Sequence, residues 1–507
     1  MLRLLLGRAG AGKSTAILRR IAASGGARRQ LLIVPEQASH ETERRLCAVA
    51  GNQVSLYAEV LSFTRLGSRV FSQTGGLAAP ALDLGGRLLL MCAALKSVSG
   101  SLTVYARPSR KPAFLTGLLA TLDECKQYQV FPDDLARAGE AVEGREGEKL
   151  RDLGLIFGAY EALSARTAAD PRDRITRLAQ GLKECGYARG MDIYIDGFTD
   201  FTPQQGLVLR ALLRQAESVT VALTSDRLDR DTGASNIFAP ARRTAAYLRR
   251  MAGEEHVPAE AEYLPQRGEG RSAALARLEA NLFADVPAAA ASLAPEIGLF
   301  SALRPRSEVE YAASEVLRLV REEGCRFRDI ALVARGFERY APLVEEIFPR
   351  YGIPVFLDAM TDILQKPVFA VVTGALDVVA RGYSYDDVFR YLKTGLAGVS
   401  RGECDELENY VLKWGIKGNR WTAKADWDMH PRGYGFPMTG PDREWIARVN
   451  EVRRKVVGPL EGLRKNRDRT GRGQAMALYR FLESIRLPEQ LAERSERLRA
   501  RGELKRA

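Results

Sequence analysis

Gly7-Arg8-Ala9-Gly10-Ala11-Gly12-Lys13-Ser14 is the stretch that most narrows what this chain can fold into. It fits G-x-x-x-x-G-K-[ST], a loop whose successive backbone N–H groups cradle phosphates. The flanks fit as well. LRLLLG (2–7) reads as a buried strand, and KSTAILRRIAA (13–23) as a helix with apolar residues at helical spacing. Gly7, Gly10 and Gly12 let the backbone bend, and the helix opening at Lys13 aims its positive dipole end at the same place. In such a loop Lys13 reaches the β- and γ-phosphates and acts in catalysis, while the Ser14 hydroxyl ligates Mg²⁺. The expected nucleotide cradle is therefore Gly7, Arg8, Ala9, Gly10, Ala11, Gly12, Lys13, Ser14 and Thr15, and the expected cofactors are ATP and Mg²⁺.

The surrounding pattern extends this reading. LLIVP (31–35) and VSLYAEV (54–60) are further strand candidates, each followed by a helical stretch. Residues 76–186 look mostly helical, and the alternation then returns with MDIYIDGF (191–198) and SVTVALTS (218–225). Strands alternating with helices argue for a parallel sheet covered on both faces. Residues 1–75 with 187–290 are thus expected to form one α/β domain, interrupted by a helical insertion over 76–186. A second α/β unit is expected to start over 291–365, from EIGLFSAL (296–303), DIALVAR (329–335) and IPVFLD (353–358). A further helical insertion follows over 366–507.

Composition limits the partners. Seventy-five Lys and Arg against 63 Asp and Glu give +12, and from Asp442 to Ala507 there are 18 basic and 10 acidic residues. An excess of this kind favours polyanions such as nucleic acid, or else marks a solvated helical face. No apolar run is long enough for a membrane span, and residues 1–15 do not read as a signal peptide, so a cytoplasmic location is expected. The six cysteines are widely spaced and only three histidines occur, a pattern of reduced, mostly buried thiols with no visible zinc or iron–sulfur spacing.

A phosphate loop needs an acid on a neighbouring strand to hold Mg²⁺. Asp196, at the end of MDIYID, is the candidate; the alternative is a plain turn acid at a strand end. The next position, where hydrolysing helicases usually carry a glutamate that activates water, is Gly197. Arg335, after DIALVA, is read either as an arginine finger onto the γ-phosphate or as a surface arginine.

In order, GRAGAGKST, LLIVPEQAS, EVLSFTRLGSRVF, IYIDGFTDFTPQQ, EVEYAASEVLRLVREEGCRFRDIALVAR and YGIPVFLD resemble the N-terminal part of the B subunit of AddAB-type helicase–nucleases. The resemblance runs from Met1 to at least Asp358. It implies two RecA-like P-loop domains with parallel sheets, each with an inserted helical domain, laid out like the superfamily 1 helicases of UvrD type. It also implies work on broken double-stranded DNA ends with an AddA-type partner subunit, and scanning of single-stranded DNA for a Chi sequence. Gln37, Ser39, Phe63 and Arg65 fall in segments that face single-stranded DNA in that family: Phe63 is suited to stack on a base, and Gln37 and Arg65 to bond phosphate or base edges. Their alternative is a core aromatic and helix-surface polar groups. Gly197 and Thr199 replace the glutamate and glutamine of the active helicase motif. The family's nuclease domain, with its iron–sulfur cluster, has no counterpart in these residues, so the sequence is expected to be an N-terminal fragment that does not cut DNA by itself. A non-hydrolysing ATP clamp on DNA and a P-loop kinase stand as the other readings.

Overall fold

The computed structural model describes residues 1–76, 80–106, 112–228, 237–265, 272–283, 294–357 and 366–502. The chain divides into two units, Met1–Leu299 and Phe300–Ala507.

The first unit is built on six parallel strands in the order β3-β2-β4-β5-β1-β6. These are β1 Leu2–Gly7, β2 Gln30–Ile33, β3 Ala58–Leu61, β4 Asp192–Ile195, β5 Ser218–Thr224 and β6 Ala259–Tyr263. β1, β2, β4 and β5 are almost wholly buried, as a sheet covered on both faces requires. One face packs on α3 (Phe63–Thr74), α8 (Arg174–Glu184), α9 (Pro203–Gln215) and α10 (Ala239–Glu254), with Leu66, Val70, Leu178, Leu212 and Leu248 in its core. The other face is covered by α1 (Lys13–Ala23) and α2 (Ser39–Ala50), through Ile17, Ile21 and Leu46.

Two strands differ from the sequence expectation. β3 is only four residues long, because Asn52–Leu56 forms a 3₁₀ turn and β2 offers only Gln30–Ile33 to pair with. β6, AEAEY, was not expected. Its alternation suits an edge strand, and Glu260 and Glu262 meet Arg3 and Arg20.

Between β3 and β4 the chain makes α4 (Leu84–Val98), α5 (Pro112–Tyr128), α6 (Pro132–Ala141) and α7 (Arg145–Thr167), with a core of its own around Met91, Leu118, Leu122, Phe157 and Tyr160. α8, grouped with this insertion by the sequence pattern, instead buries Leu178, Ala179 and Leu182 in the core of the sheet. Where the insertion rejoins the sheet layer, the fully buried Asp170 gathers four donors or charges. Tyr160 Oη donates to it at 2.9 Å and the Arg172 N–H at 2.9 Å, while Lys126 lies 3.2 Å and Arg87 3.1 Å away. Burial alone would raise the Asp170 pKa, but the Arg172 N–H and the Lys126 and Arg87 charges outweigh it and hold it below the usual carboxylate value.

In the second unit, α12 (Pro305–Glu322) and α13 (Ala341–Arg350) share a small core of Val309, Ala313, Val344 and Phe348. The strands expected at 296–303, 329–335 and 353–358 form no ladder among the described residues; Asp358 lies outside them. Leu303, Val333 and Phe356 are about nine-tenths exposed or more. A strand needs at least one hydrogen-bonded neighbour, and none is present for these runs among the described residues. α14 (Pro367–Ala380), α15 (Tyr385–Leu392), α16 (Arg401–Trp414), α17 (Gly440–Lys465), α18 (Gly471–Ser484) and α19 (Leu487–Ala500) make a helical body around Tyr391, Tyr410, Trp421, Trp427 and Phe481. No helix among the described residues is long and apolar enough to cross a membrane.

Candidate nucleotide-binding site

The loop between β1 and α1 has the backbone its sequence predicts. Gly10 and Gly12 take φ of 77° and 85°, left-handed values that favour glycine. A Cβ on Gly7 would stand 2.8 Å from that of Ala11, so a side chain there would force the loop open. α1 starts at Lys13 with no side-chain cap, which leaves its first N–H groups facing the loop. Lys13 Nζ donates to the carbonyls of Gly7 (2.7 Å) and Arg8 (3.0 Å), which holds the ammonium over the loop. Burial pushes the Lys13 pKa below the ordinary lysine value, while the charges of Asp196 and Glu279 oppose that drop. Ser14 and Thr15, in the first turn of α1, are half-buried. Arg8 points away from the helix. It pairs with Glu279 of α11 (Ala273–Asn281) at 3.0 Å, and its guanidinium lies 5.3 Å from the ring centre of Phe238.

Asp196 follows β4 directly, and its N–H donates to the Ile33 carbonyl of β2. β4 is separated from β1 by β5 alone, so the acid sits roughly 10 Å across the sheet from the β1 strand axis, at the same carboxyl ends. It is close enough for its charge to act on Lys13. Gly197 has φ 84°, and a Cβ there would meet Pro35 Cδ at 3.1 Å. The local backbone therefore has no room for the glutamate that a hydrolysing helicase places after the acid. Asp200 is exposed, near a hydroxyl of Thr199 that is 3.5 Å away.

Ser225, which the sequence pattern did not single out, closes the gap between these parts. It follows β5, its N–H donates to the Gly7 carbonyl at 3.3 Å, and it is fully buried. Its Oγ has no hydrogen-bond partner among the described residues. A buried hydroxyl left unsatisfied costs stability, and this one lies beside the phosphate loop. The only sequence signal was its position at the end of an apolar strand.

The expected DNA-facing residues separate into two groups. Gln37, just past β2, and Arg65, in the first turn of α3, are exposed at the carboxyl ends of their strands. Crevices outside those ends are where open parallel sheets bind ligands. Ser39 and Phe63 are both buried. Ser39 Oγ donates to the Glu36 carbonyl, which completes the turn into α2. Phe63 lies edge-on to Phe198 with ring centres 5.6 Å apart, and so presents no open face to a base. A phenylalanine two residues past a strand end had to turn into the core because α3 caps on Ser62 and directs its apolar side at the sheet. Arg335 belongs to the second unit, on an exposed turn.

Buried strand, glycine loop, capless helix and an acid two strands away define a P-loop α/β domain. The family model described as "ADDB, N-terminal" matches residues 4–279, more than half of the chain. The chain thus belongs to the AddB family. It is 34% identical to the B subunit of the ATP-dependent helicase/deoxyribonuclease of Acetivibrio thermocellus, over 99% of this chain and 45% of that protein. It is also 34% identical to the protein of the same name from Pelotomaculum thermopropionicum (100% of this chain, 45% of the relative), and 32% identical to that of Clostridium tetani (97% and 44%). The chain spans under half the length of these relatives.

Proposed function

We propose that this chain is the nucleotide- and DNA-binding part of a helicase–nuclease subunit, holding ATP with Mg²⁺ at the β1–α1 loop. The observation that carries the reading is the loop itself: left-handed Gly10 and Gly12, the tight Gly7–Ala11 approach, and Lys13 and Asp196 within electrostatic reach of each other. Gly10, Gly12 and the opening turn of α1 would offer N–H groups to the phosphates, Lys13 would bond the β/γ-phosphates, and Ser14 and Asp196 would hold the metal. Bound Mg²⁺ would neutralise phosphate charge. Gln37 and Arg65 would contact single-stranded DNA, and Arg335 would serve as an arginine finger. The names of the relatives support a helicase–deoxyribonuclease subunit; an AddA-type partner, action on double-strand ends and strand scanning for a Chi-type sequence are proposed with it. The nuclease and its iron–sulfur cluster are assigned to sequence outside these residues.

Gly197 favours a second reading, in which the site clamps ATP and turns it over slowly or not at all. Nucleotide binding and DNA-stimulated hydrolysis, compared between the native chain and Lys13→Ala, separate the two. Binding without turnover selects the clamp, DNA-stimulated turnover selects the motor, and Lys13-independent binding overturns both.

A further inference from the structure

The second unit carries a groove that the P-loop reading does not use. It lies between the last turns of α17, the loop 466–470 and the first turns of α18, and encloses about 620 Å³. Lys465, Arg467, Arg472 and Arg480 line it, against a single lining acid, Asp468. That acid is already engaged: its carboxylate accepts from the Thr470 N–H (2.9 Å) and Thr470 Oγ1 (2.7 Å). Lys465 is paired with Glu461 one turn back. Arg467, Arg472 and Arg480 are different. All three are exposed, and none has an ion pair, side-chain hydrogen bond or ring contact among the described residues. Some surface arginines of the same unit find a carboxylate, as Arg306, Arg318, Arg390 and Arg464 do; these three do not, and they converge on one hollow. Three unpaired guanidinium groups around one hollow repel each other and are stabilised by an incoming polyanion.

The spacing selects the kind of polyanion. Arg472 and Arg480 are eight residues apart on one helix, so their Cα atoms stand roughly 12 Å apart along the axis. Side chains on one helix face lean in the same direction, so two guanidinium groups with this spacing are set for separate phosphates of a chain more readily than for a single one. Met476 lies midway on the same face, at i+4 from Arg472 and i−4 from Arg480, and is nearly half exposed. An apolar thioether between two cations suits a sugar or base carried between successive phosphates.

We propose that this groove is a second nucleic-acid contact, in which Arg467, Arg472 and Arg480 hold consecutive backbone phosphates of a DNA strand while Met476 lies against the sugar or base between them. The proposal deepens the DNA-binding reading above but does not depend on nucleotide binding at the P-loop.

The test is fluorescence anisotropy of a labelled oligo(dT) with the full 507-residue chain, titrated between about 50 and 200 mM salt. The native chain is compared with Arg467→Gln/Arg472→Gln/Arg480→Gln and with Arg350→Gln, an exposed arginine paired with Glu346 outside the groove, and circular dichroism checks that each is folded. Each lost phosphate contact on a single strand lowers the slope of log K against log salt by about 0.7, so the triple variant should lose about 2 and bind tens of fold more weakly at the lowest salt. Arg350→Gln should keep the native slope. If the triple variant keeps the native slope, the groove is not a DNA contact and the proposal fails while DNA binding elsewhere stands. If the native chain binds no DNA, the DNA-binding reading falls too. If inorganic polyphosphate competes as well as oligo(dT) of equal charge, and Met476→Ala leaves both unchanged, the groove is a general polyanion site and the nucleic-acid assignment is overturned.

Discussion

Replacing Gly197 shows whether the missing glutamate is a simple gap or a backbone constraint. With φ 84°, any L-residue here adopts a left-handed conformation, at about 1–2 kcal/mol. Its Cβ would also press on Pro35 Cδ at 3.1 Å. That ring begins the turn after β2 and cannot rotate away, so roughly a further 1 kcal/mol is expected. Gly197→Ala should therefore destabilise the first unit by about 2–3 kcal/mol. The four tryptophans, Trp414, Trp421, Trp427 and Trp445, all lie in the second unit and serve as an internal control. In urea, the circular-dichroism transition of the helix-rich first unit should move to lower denaturant while the tryptophan fluorescence transition stays. Gly197→Glu should show the same loss and no gain in ATP hydrolysis. A Gly197→Ala protein with unchanged unfolding, or a Gly197→Glu protein that hydrolyses ATP faster than the native chain, would refute the constraint.

Three other outcomes are expected. Asp170→Ala leaves Arg87, Lys126 and Tyr160 short of a buried partner and should cost about 3 kcal/mol at neutral pH. Because the native Asp170 pKa is depressed, its contribution is present above the unfolded carboxylate value near ~4 and disappears as pH falls through the folded value; the native-minus-variant gap in urea midpoint should shrink on acidification. Ser225→Ala breaks no hydrogen bond of the hydroxyl, so stability should hold within about 0.5 kcal/mol or rise, while Mg·ATP affinity measured by calorimetry falls; a stability loss with unchanged affinity would make Ser225 a packing residue only. Lys13 is depressed by burial, and phosphate charge would raise it again. Mg·ATP binding at alkaline pH should thus take up protons, read from calorimetry in buffers of different ionisation enthalpy, and should weaken as pH rises further; buffer-independent heats would count against the assigned contact.

The sheet was legible where apolar runs are continuous. LRLLLG, LLIV, DIYI and SVTVALT could only be buried parallel strands, and all four pair as such. β6 was missed because AEAEY has no apolar run; it is an edge strand held on one side by β1 and screened by Arg3 and Arg20. The runs expected to open a second sheet pair with nothing among the described residues. They are apolar and strand-like, but a run cannot say whether a neighbour is present to pair with. Within the site, the bend of the glycine loop was legible because it is local in sequence. Phe63 was not: whether an aromatic at a helix start faces a ligand or the core depends on the Ser62 cap and on Phe198, which lies far away in sequence. Ser225 needed the strand order, since only the placing of β5 beside β1 brings it to Gly7.

The central claim is that the β1–α1 loop binds Mg·ATP through Lys13. The most direct measurement is calorimetric titration of the native chain and of Lys13→Ala with ATP in the presence and absence of Mg²⁺. The account predicts one site on the native chain, tightened by Mg²⁺ and lost in a Lys13→Ala protein that remains folded. Equal affinity in the two proteins, or no binding to the native chain, would contradict it.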